Sequence, residues 1–296
     1  MQYTQWQRTA QYLDYEGHRI AYYQAGTGPK LTFIHGFPTS SHDWVRVWSR
    51  LQDQYSLLAL DLLGFGQSSK PRPHSYNFTQ QAHIVRAVWQ HLGITQTTVI
   101  AHDYGSTVAL ELIAQQKEGD FTGASTVKAA HPLPQLQQVL LLNGGIVQGV
   151  YRPRIIQRLM ASFLGPALGL VLGRGSLARN FRAIFGPQYP LTDAEIDDFW
   201  SAIEVSNGKW ALPYIGRYLH ERAARHRRWE AAIANPGVPL HHFWGLFDPI
   251  SGQAMVDAMQ DLNPQLQGQA LDGVGHYPQW EKPEELAAYI RWMTGA

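Results

Sequence analysis

Three residues, met in the order Asp103, Asp248 and His276, have the types needed for covalent hydrolysis. Asp103 is the middle of Ala101-His102-Asp103-Tyr104-Gly105, between an apolar run that reads as a strand and a stretch with helical spacing. A nucleophile elbow requires this context, because a sharp strand-to-helix turn projects the central side chain and tolerates only small residues two places away on either side. Ala101 and Gly105 meet that requirement. Alone, the pentapeptide would equally describe an aspartate capping a helix. Asp248 and His276 change that reading. Phe243-Trp244-Gly245-Leu246-Phe247-Asp248 ends a late strand in a carboxylate, and Gly273-Val274-Gly275-His276 follows another strand near the C-terminus. Nucleophile, acid, histidine is the order that such an elbow demands. Ser106 is not the nucleophile, because Tyr104 and Val108 would occupy the two positions that must be small.

A carboxylate nucleophile narrows the chemistry. Aspartate is ionised at neutral pH without a base, so His276 is free for a later step. Attack on an acyl carbon would give a reactive anhydride, whereas attack on a saturated, electrophilic carbon gives a stable alkyl ester. His276, oriented by Asp248, can then deprotonate a water that attacks the Asp103 carbonyl carbon. The backbone N–H groups of Phe37 and Tyr104 occupy the places of the two oxyanion donors. This sequence of steps calls for no metal and no organic cofactor.

The elements that must hold these residues alternate. Gln11–Tyr15, Arg19–Gln24, Leu31–Ile34, Ser56–Leu60, Thr97–Ala101, Gln138–Leu142, Leu240–Trp244 and Gln269–Leu271 read as strands. Helical spacing covers Trp44–Leu51, Phe78–Leu92, Tyr104–Gln115, Ala254–Leu262 and Pro283–Met293. Continuous apolar strands between helices predict an α/β fold, a mostly parallel sheet covered on both faces. From Ile146 to Ala234 the pattern turns helical, and Pro236 and Pro239 mark its end. The expected organisation is a core of residues 1–145 and 236–296 with a helical cap, 146–235, over the carboxyl ends of the strands. Glu118–Pro134 reads as an exposed loop.

Composition sets the outer limits. The 296 residues are 45% hydrophobic and 16% charged, enough for a large core, and the net charge of +1 favours neither nucleic acid nor an anionic membrane. With no cysteine there is no thiol chemistry and no disulfide. The first ten residues lack the apolar centre of a signal peptide, which makes a cytoplasmic protein the default. Leu159–Leu172 is strongly apolar but shorter than a bilayer span and interrupted by Gly165 and Pro166. It is expected to cover a core or an apolar pocket, with peripheral lipid contact as the alternative. The basic run Arg222–Arg228, with Arg225, Arg227 and Arg228, is expected to be a solvated helix face. Monomer and small oligomer fit equally.

Four motifs carry a resemblance. His35-Gly36-Phe37-Pro38, Asp61-Leu62-Leu63-Gly64-Phe65-Gly66-Gln67-Ser68, His102-Asp103-Tyr104-Gly105 and Gly275-His276-Tyr277-Pro278 resemble the epoxide hydrolase and haloalkane dehalogenase branch of the α/β-hydrolase fold. His102-Asp103-Tyr104-Gly105, Leu142-Asn143-Gly144-Gly145, Phe185-Gly186-Pro187 and Arg227-Arg228-Trp229 are similar to the mesoderm-specific transcript protein family and its bacterial relatives. The branch implies that His102 is elbow scaffold rather than a proton carrier. It also implies that a departing halide would be held by a Trp after the nucleophile and often an Asn after the third strand. Tyr104 and Phe37 stand in those places and disfavour dehalogenation. An opening epoxide is held instead by two cap tyrosines. Tyr218 has the place of the second; Tyr151, Tyr189 and Tyr214 are candidates for the first, with Tyr151 preferred at the cap entrance. The expected activity is therefore hydrolysis of a small apolar epoxide to a vicinal diol. The alternatives are haloalkane dehalogenation, another hydrolase or acyl-transfer activity on lipid-like substrates, and a non-catalytic binding protein.

Overall fold

The computed structural model describes residues 1–119, 134–162, 165–168, 170 and 172–295. Among them eight strands form one sheet: β1 Gln11–Tyr15, β2 His18–Ala25, β3 Lys30–Ile34, β4 Ser56–Leu60, β5 Gln96–His102, β6 Gln135–Leu142, β7 Leu240–Gly245 and β8 Gln267–Leu271. Their order is β1-β2-β4-β3-β5-β6-β7-β8. β1 pairs antiparallel with β2, and β2 antiparallel with β4, while the rest are parallel. The central strands are apolar throughout because both faces are covered, as Leu57 to Leu60 illustrate by being fully buried. β8 is an exposed edge of Gln267, Gly268 and Gln269, so its sequence signal is weak at its start.

The helices are α1 Tyr3–Trp6, α2 Val45–Leu51, α3 Phe78–His91, α4 Tyr104–Glu118, α5 Ile155–Ala161, α6 Gly165–Leu168, α7 Arg174–Arg182, α8 Asp193–Glu204, α9 Leu212–Ile215, α10 Tyr218–Ala234, α11 Gln253–Leu262, α12 Pro278–Glu281 and α13 Pro283–Thr294. α5 to α10 all lie in the chain between β6 and β7. No helix among the described residues is long and apolar enough to cross a membrane. The expected loop Glu118–Pro134 falls mostly outside the described residues; Glu118 itself completes α4, and Gly119 closes it at φ +62°.

Parallel pairing gathers the functional loops. Ile34 pairs with Ala101, His102 with Leu142, and Leu142 with Phe243. The segments leaving β3, β5, β6 and β7 therefore emerge side by side at one end of the sheet, carrying Phe37, Asp103, Asn143 and Asp248.

The basic run on α10 is not a solvated face. Arg222 is 4% exposed, and Arg228 directs Nε (2.8 Å) and Nη2 (3.2 Å) to the buried Glu111 of α4. Trp229 donates its Nε1–H to the same carboxylate at 2.9 Å, and Arg225 bonds Thr79 and Glu221. Arg227 alone of the run's arginines is exposed. The reason is Glu111: a buried carboxylate must be paired, and α10 supplies the partners that fasten it to the helix following Asp103. Removing that carboxylate takes the acceptor from the buried Trp229 indole and the Gln115 amide and leaves Arg228 with Glu118 alone. Glu111→Ala should lower unfolding free energy by about 3 kcal/mol in a urea titration. A loss within experimental error would show that Glu111 is not what fastens α10.

Candidate active site

Asp103 adopts φ +46° and ψ −105°, a conformation that side-chain-bearing residues rarely occupy. The turn is held from both sides. Its N–H donates to the Asn143 carbonyl (2.9 Å), and its own carbonyl accepts from the Ser106 N–H (3.1 Å). Gly105 lets α4 approach β3, because a Cβ there would stand 2.4 Å from the Ile34 carbonyl oxygen. A Cβ on Gly144 would come within 2.9 Å of the Asp103 carbonyl oxygen. These contacts explain the small residues in both motifs.

The Asp103 side chain is buried and accepts the Phe37 N–H at Oδ2, 3.2 Å away. Tyr104 is the first residue of α4, so its N–H has no acceptor within the helix. Both expected oxyanion donors thus flank Asp103. His276 directs Nδ1 to Asp248 Oδ2 at 2.7 Å, and its ring lines the same cavity as Phe37. His102 donates Nε2–H to the His276 carbonyl at 2.7 Å. That makes His102 a strut for the His276 loop. Burial holds its own pKa well below the ordinary imidazole value.

Asp248 is fully satisfied by neighbours that sequence reasoning left without a role. Its Oδ2 also accepts from Asn143 Nδ2 (3.0 Å) and Ser251 Oγ (2.6 Å), and its Oδ1 accepts the Ile250 N–H (2.8 Å). Asn143 further bonds Gly245 in both directions, tying β6 to the end of β7. Burial alone would raise the Asp248 pKa, but the His276 charge and these hydrogen bonds hold it below the ordinary value. Burial likewise acts to lower His276, yet the Asp248 charge and hydrogen bond prevail and its pKa is raised.

Glu281 is a second unforeseen support. Its carboxylate accepts the N–H groups of Gly186 (2.9 Å), Gly275 (2.8 Å) and Tyr277 (3.2 Å). The Phe185-Gly186-Pro187 motif is thereby docked on the His276 loop, where the His276 N–H also donates to the Ile184 carbonyl at 2.8 Å. Side chains at either glycine would clash: a Cβ on Gly186 meets the Gly273 oxygen at 2.1 Å, and one on Gly275 meets the Ile184 oxygen at 2.3 Å.

The tyrosine candidates separate clearly. Tyr218 is 1% exposed, with its ring 5.6 Å from Phe37 and 5.3 Å from Tyr104, and its hydroxyl accepts from Gln157 Nε2 at 3.2 Å. Burial, then the Asp103 charge, raise its pKa. Tyr151 packs its ring on Gly145, beside the same Arg222 guanidinium that faces Tyr218. Tyr189 donates to Glu195 at 2.6 Å, and Tyr214 lines a separate surface hollow with Tyr76 and Glu221. Neither belongs to the site.

The residue most clearly missed is Arg222. Its Nη2 donates to the Asp103 carbonyl at 3.2 Å and lies 3.9 Å from Asp103 Oδ1, while Nε bonds Thr107 Oγ1 at 3.0 Å. The guanidinium lies 4.7 Å from the Tyr218 ring centre and 5.9 Å from that of Tyr151. Beside this cluster a narrow cavity of about 80 Å³ is lined by mostly apolar side chains, including Ile156, Met160, Leu177, Phe181 and Trp200. No cluster of His, Asp and Glu among the described residues could hold a metal ion.

Residues 29–283 match the model of the family described as alpha/beta hydrolase fold. The mesoderm-specific transcript homolog protein of Bos taurus is 33% identical over 98% of this chain and 87% of its own length. A putative hydrolase of Mycobacterium tuberculosis, LipZ, is 34% identical over 88% of this chain and 87% of its own. Among solved structures, epoxide hydrolase CorEH superposes with TM-score 0.75 at 21% identity, covering 96% of this chain and 97% of that one. Haloalkane dehalogenase DbeA from Bradyrhizobium elkani gives TM-score 0.77 at 21% identity, covering 97% of each chain. At such identities the structures speak for the fold alone.

The His276–Asp248 pair has a measurable consequence. In an imidazole NMR titration His276 should titrate above the ordinary value of about 6.5, and Asp248→Asn should bring it below that value. Because the folded pKa is the higher one, the pair's contribution to stability is full below the unfolded value and is lost as pH rises through the folded one. A His276 titration unmoved by Asp248→Asn would refute the coupling.

Proposed function

This chain belongs to the α/β hydrolase fold family and is a hydrolase of that fold, and we propose that it opens epoxides to vicinal diols through an alkyl ester on Asp103. The observation that carries this reading is a strained elbow presenting a carboxylate, not a serine, beside an intact His276–Asp248 pair. We read residues 146–235 as the cap that encloses it.

In the first step an Asp103 carboxylate oxygen attacks an epoxide carbon in line, and the carbon–oxygen bond opposite it breaks. The freed oxygen takes a proton from a phenol. Tyr218 and Tyr151 are the donors, both close to Arg222 and one packed directly on Phe37. A buried phenol with a raised pKa stays protonated and able to donate at neutral pH. Two phenols suit an alkoxide, which needs a proton, better than a halide, which needs only fixed N–H donors.

In the second step His276 Nε2 takes a proton from water as the water oxygen attacks Asp103 Cγ. The tetrahedral oxyanion is held by the N–H groups of Phe37 and Tyr104. Collapse breaks the bond between Cγ and the substrate oxygen, which takes the proton back from His276 and leaves as the diol. The phenolate formed in the first step regains a proton from solvent, and Asp103, left as the acid, releases one to it. One water has been added, and its oxygen remains on Asp103.

Arg222 gives the cycle a direction. It faces the nucleophile's charge in the resting protein, and alkylation removes that charge while the buried guanidinium stays. An uncompensated buried cation is costly, so Arg222 disfavours the ester and favours the return of the carboxylate.

Covalent trapping, isotope transfer, single substitutions and pH dependence would test this. His276→Gln incubated with an epoxide panel should accumulate a mass adduct on the Asp103 peptide, and Asp103→Asn should form none. A single turnover in heavy-oxygen water should label Asp103 rather than the diol; label found in the diol would mean that water attacks the epoxide directly. Tyr218→Phe and Tyr151→Phe should each slow alkylation by about 10- to 100-fold, whereas Arg222→Met should raise the fraction of enzyme held as the ester during steady turnover. The hydrolytic step should quicken as pH rises through the raised His276 pKa, since only the free imidazole accepts the water's proton.

A further inference from the structure

We propose that the outer face of α5, with the exposed Leu170, is a docking surface for an anionic lipid bilayer, placing the apolar cavity that α5 lines against the membrane. The surface stands whichever electrophile Asp103 attacks.

The helix has two apolar faces where a soluble surface helix has one. Ile156, Gln157 and Met160 turn inward and line the cavity. Ile155 and Leu159, one turn apart, turn outward and are 77% and 38% exposed. Leu170, just beyond α6, is 78% exposed, while Leu172 lines the interior. Large aliphatic side chains held in water, two of them adjacent on one helix face, incur a hydration cost that an apolar partner would remove.

Charge selects the partner. Residues 146–192 contain six arginines, Arg152, Arg154, Arg158, Arg174, Arg179 and Arg182, and no Asp, Glu or Lys. The whole chain carries only +1, so positive charge is concentrated on this segment. Arg174 and Arg182 are paired with Asp193 and Asp197, but Arg152, Arg154 and Arg158 form no ion pair with any described residue. Arg152 and Arg158 are exposed, flanking Ile155 and Leu159, and Arg154 stands at the cavity lining. Aliphatic side chains bordered by unpaired arginines match the boundary between acyl chains and anionic headgroups. A second protein copy would bring the same arginines face to face and would be repelled.

The arrangement also gives the cavity a supply. A hydrophobic substrate partitions into the bilayer, and a site whose lining helix is also its membrane contact takes it up without passage through water.

The test is sedimentation of the full chain with sucrose-loaded vesicles of phosphatidylcholine alone or mixed with phosphatidylglycerol. The chain should sediment with the mixed vesicles only and be released by high salt. Arg152→Gln/Arg158→Gln and Ile155→Ser/Leu159→Ser should each weaken that binding by about tenfold or more, with Tm and turnover of a short water-soluble substrate unchanged. Amide exchange on the unaltered protein supplies a readout free of variants: mixed vesicles should slow exchange across Arg152–Met160. No sedimentation with mixed vesicles, equal binding by the variants, or protection elsewhere in the chain would overturn the proposal. So would a concentration-dependent dimer, seen by sedimentation velocity without lipid and abolished by Ile155→Ser/Leu159→Ser, since the face would then belong to a second copy.

Discussion

The rest of the molecule is arranged around the backbone of Asp103, which is held where an L-residue is strained. Such a conformation costs on the order of 1–3 kcal/mol and persists only where its surroundings over-determine it. Here the surroundings are three parallel strands. β3 sets the Ile34 carbonyl so close to Gly105 that no side chain fits, β5 delivers the residue, and Asn143 at the end of β6 accepts its N–H. One amide side chain then reaches further: Asn143 bonds Gly245 and Asp248, so the segment that holds the elbow also holds the acid that orients His276. The relative placement of Asp103 and Asp248 thus follows from sheet register and from the one loop residue, Asn143, that joins them.

Electrostatics completes what the register begins. Asp103, Asp248, Arg222 and His276 are all nearly inaccessible to water, and buried charges must be compensated locally. Asp248 has four donors, and one of them is His276. Asp103 is flanked by the Phe37 N–H and, farther off, by the Arg222 guanidinium. The two carboxylates are therefore not equivalent. In the proposed reaction the one saturated with hydrogen bonds orients, and the one left with a sparser set of contacts retains lone pairs for bond formation.

Sequence spacing carried the sheet, the strained turn at Asp103 and the pairing of Asp248 with His276, because each rests on local rules: periodicity, small residues at a turn, a carboxylate at a strand end. Ser56–Leu60 was legible to the residue. What the sequence hid depends on contacts between distant segments. Arg222 sits among neighbouring arginines and reads as part of a solvated face, and only the packing of α10 on α4 reveals that it points at the elbow. Arg228 and Trp229 were noticed as a motif but not explained until Glu111, an ordinary-looking helical glutamate, proved to be their buried partner. Asn143 and Glu281 share that character. Each supports the site through backbone groups of other segments, which leave no mark of their own in a single sequence. Among the tyrosines, the resemblance gave Tyr218 its place and Tyr151 was preferred only for standing at the cap entrance; the hydroxyl partner of Tyr189 and the surface hollow around Tyr214 put those two elsewhere.

The helices between β6 and β7 are joined to the sheet by polar ties and leave the space between apolar. Glu281 and the His276 N–H hold the Phe185-Gly186 turn to one side of the site, and Glu111 and Thr107 hold α10 to the other. Between these anchorages lies α5, contributing Ile156 and Met160 to the cavity but fastened by few polar contacts of its own. Satisfied hydrogen bonds and buried ion pairs fix position more sharply than aliphatic packing, which tolerates repacking at small cost. The reacting groups are therefore held on the rigid margins of the site. The wall against which an apolar substrate would lie is its most adaptable part. That division suits a carboxylate nucleophile, whose in-line attack demands exact placement of Asp103 and its phenols but places little demand on the shape of the remainder of the molecule being attacked.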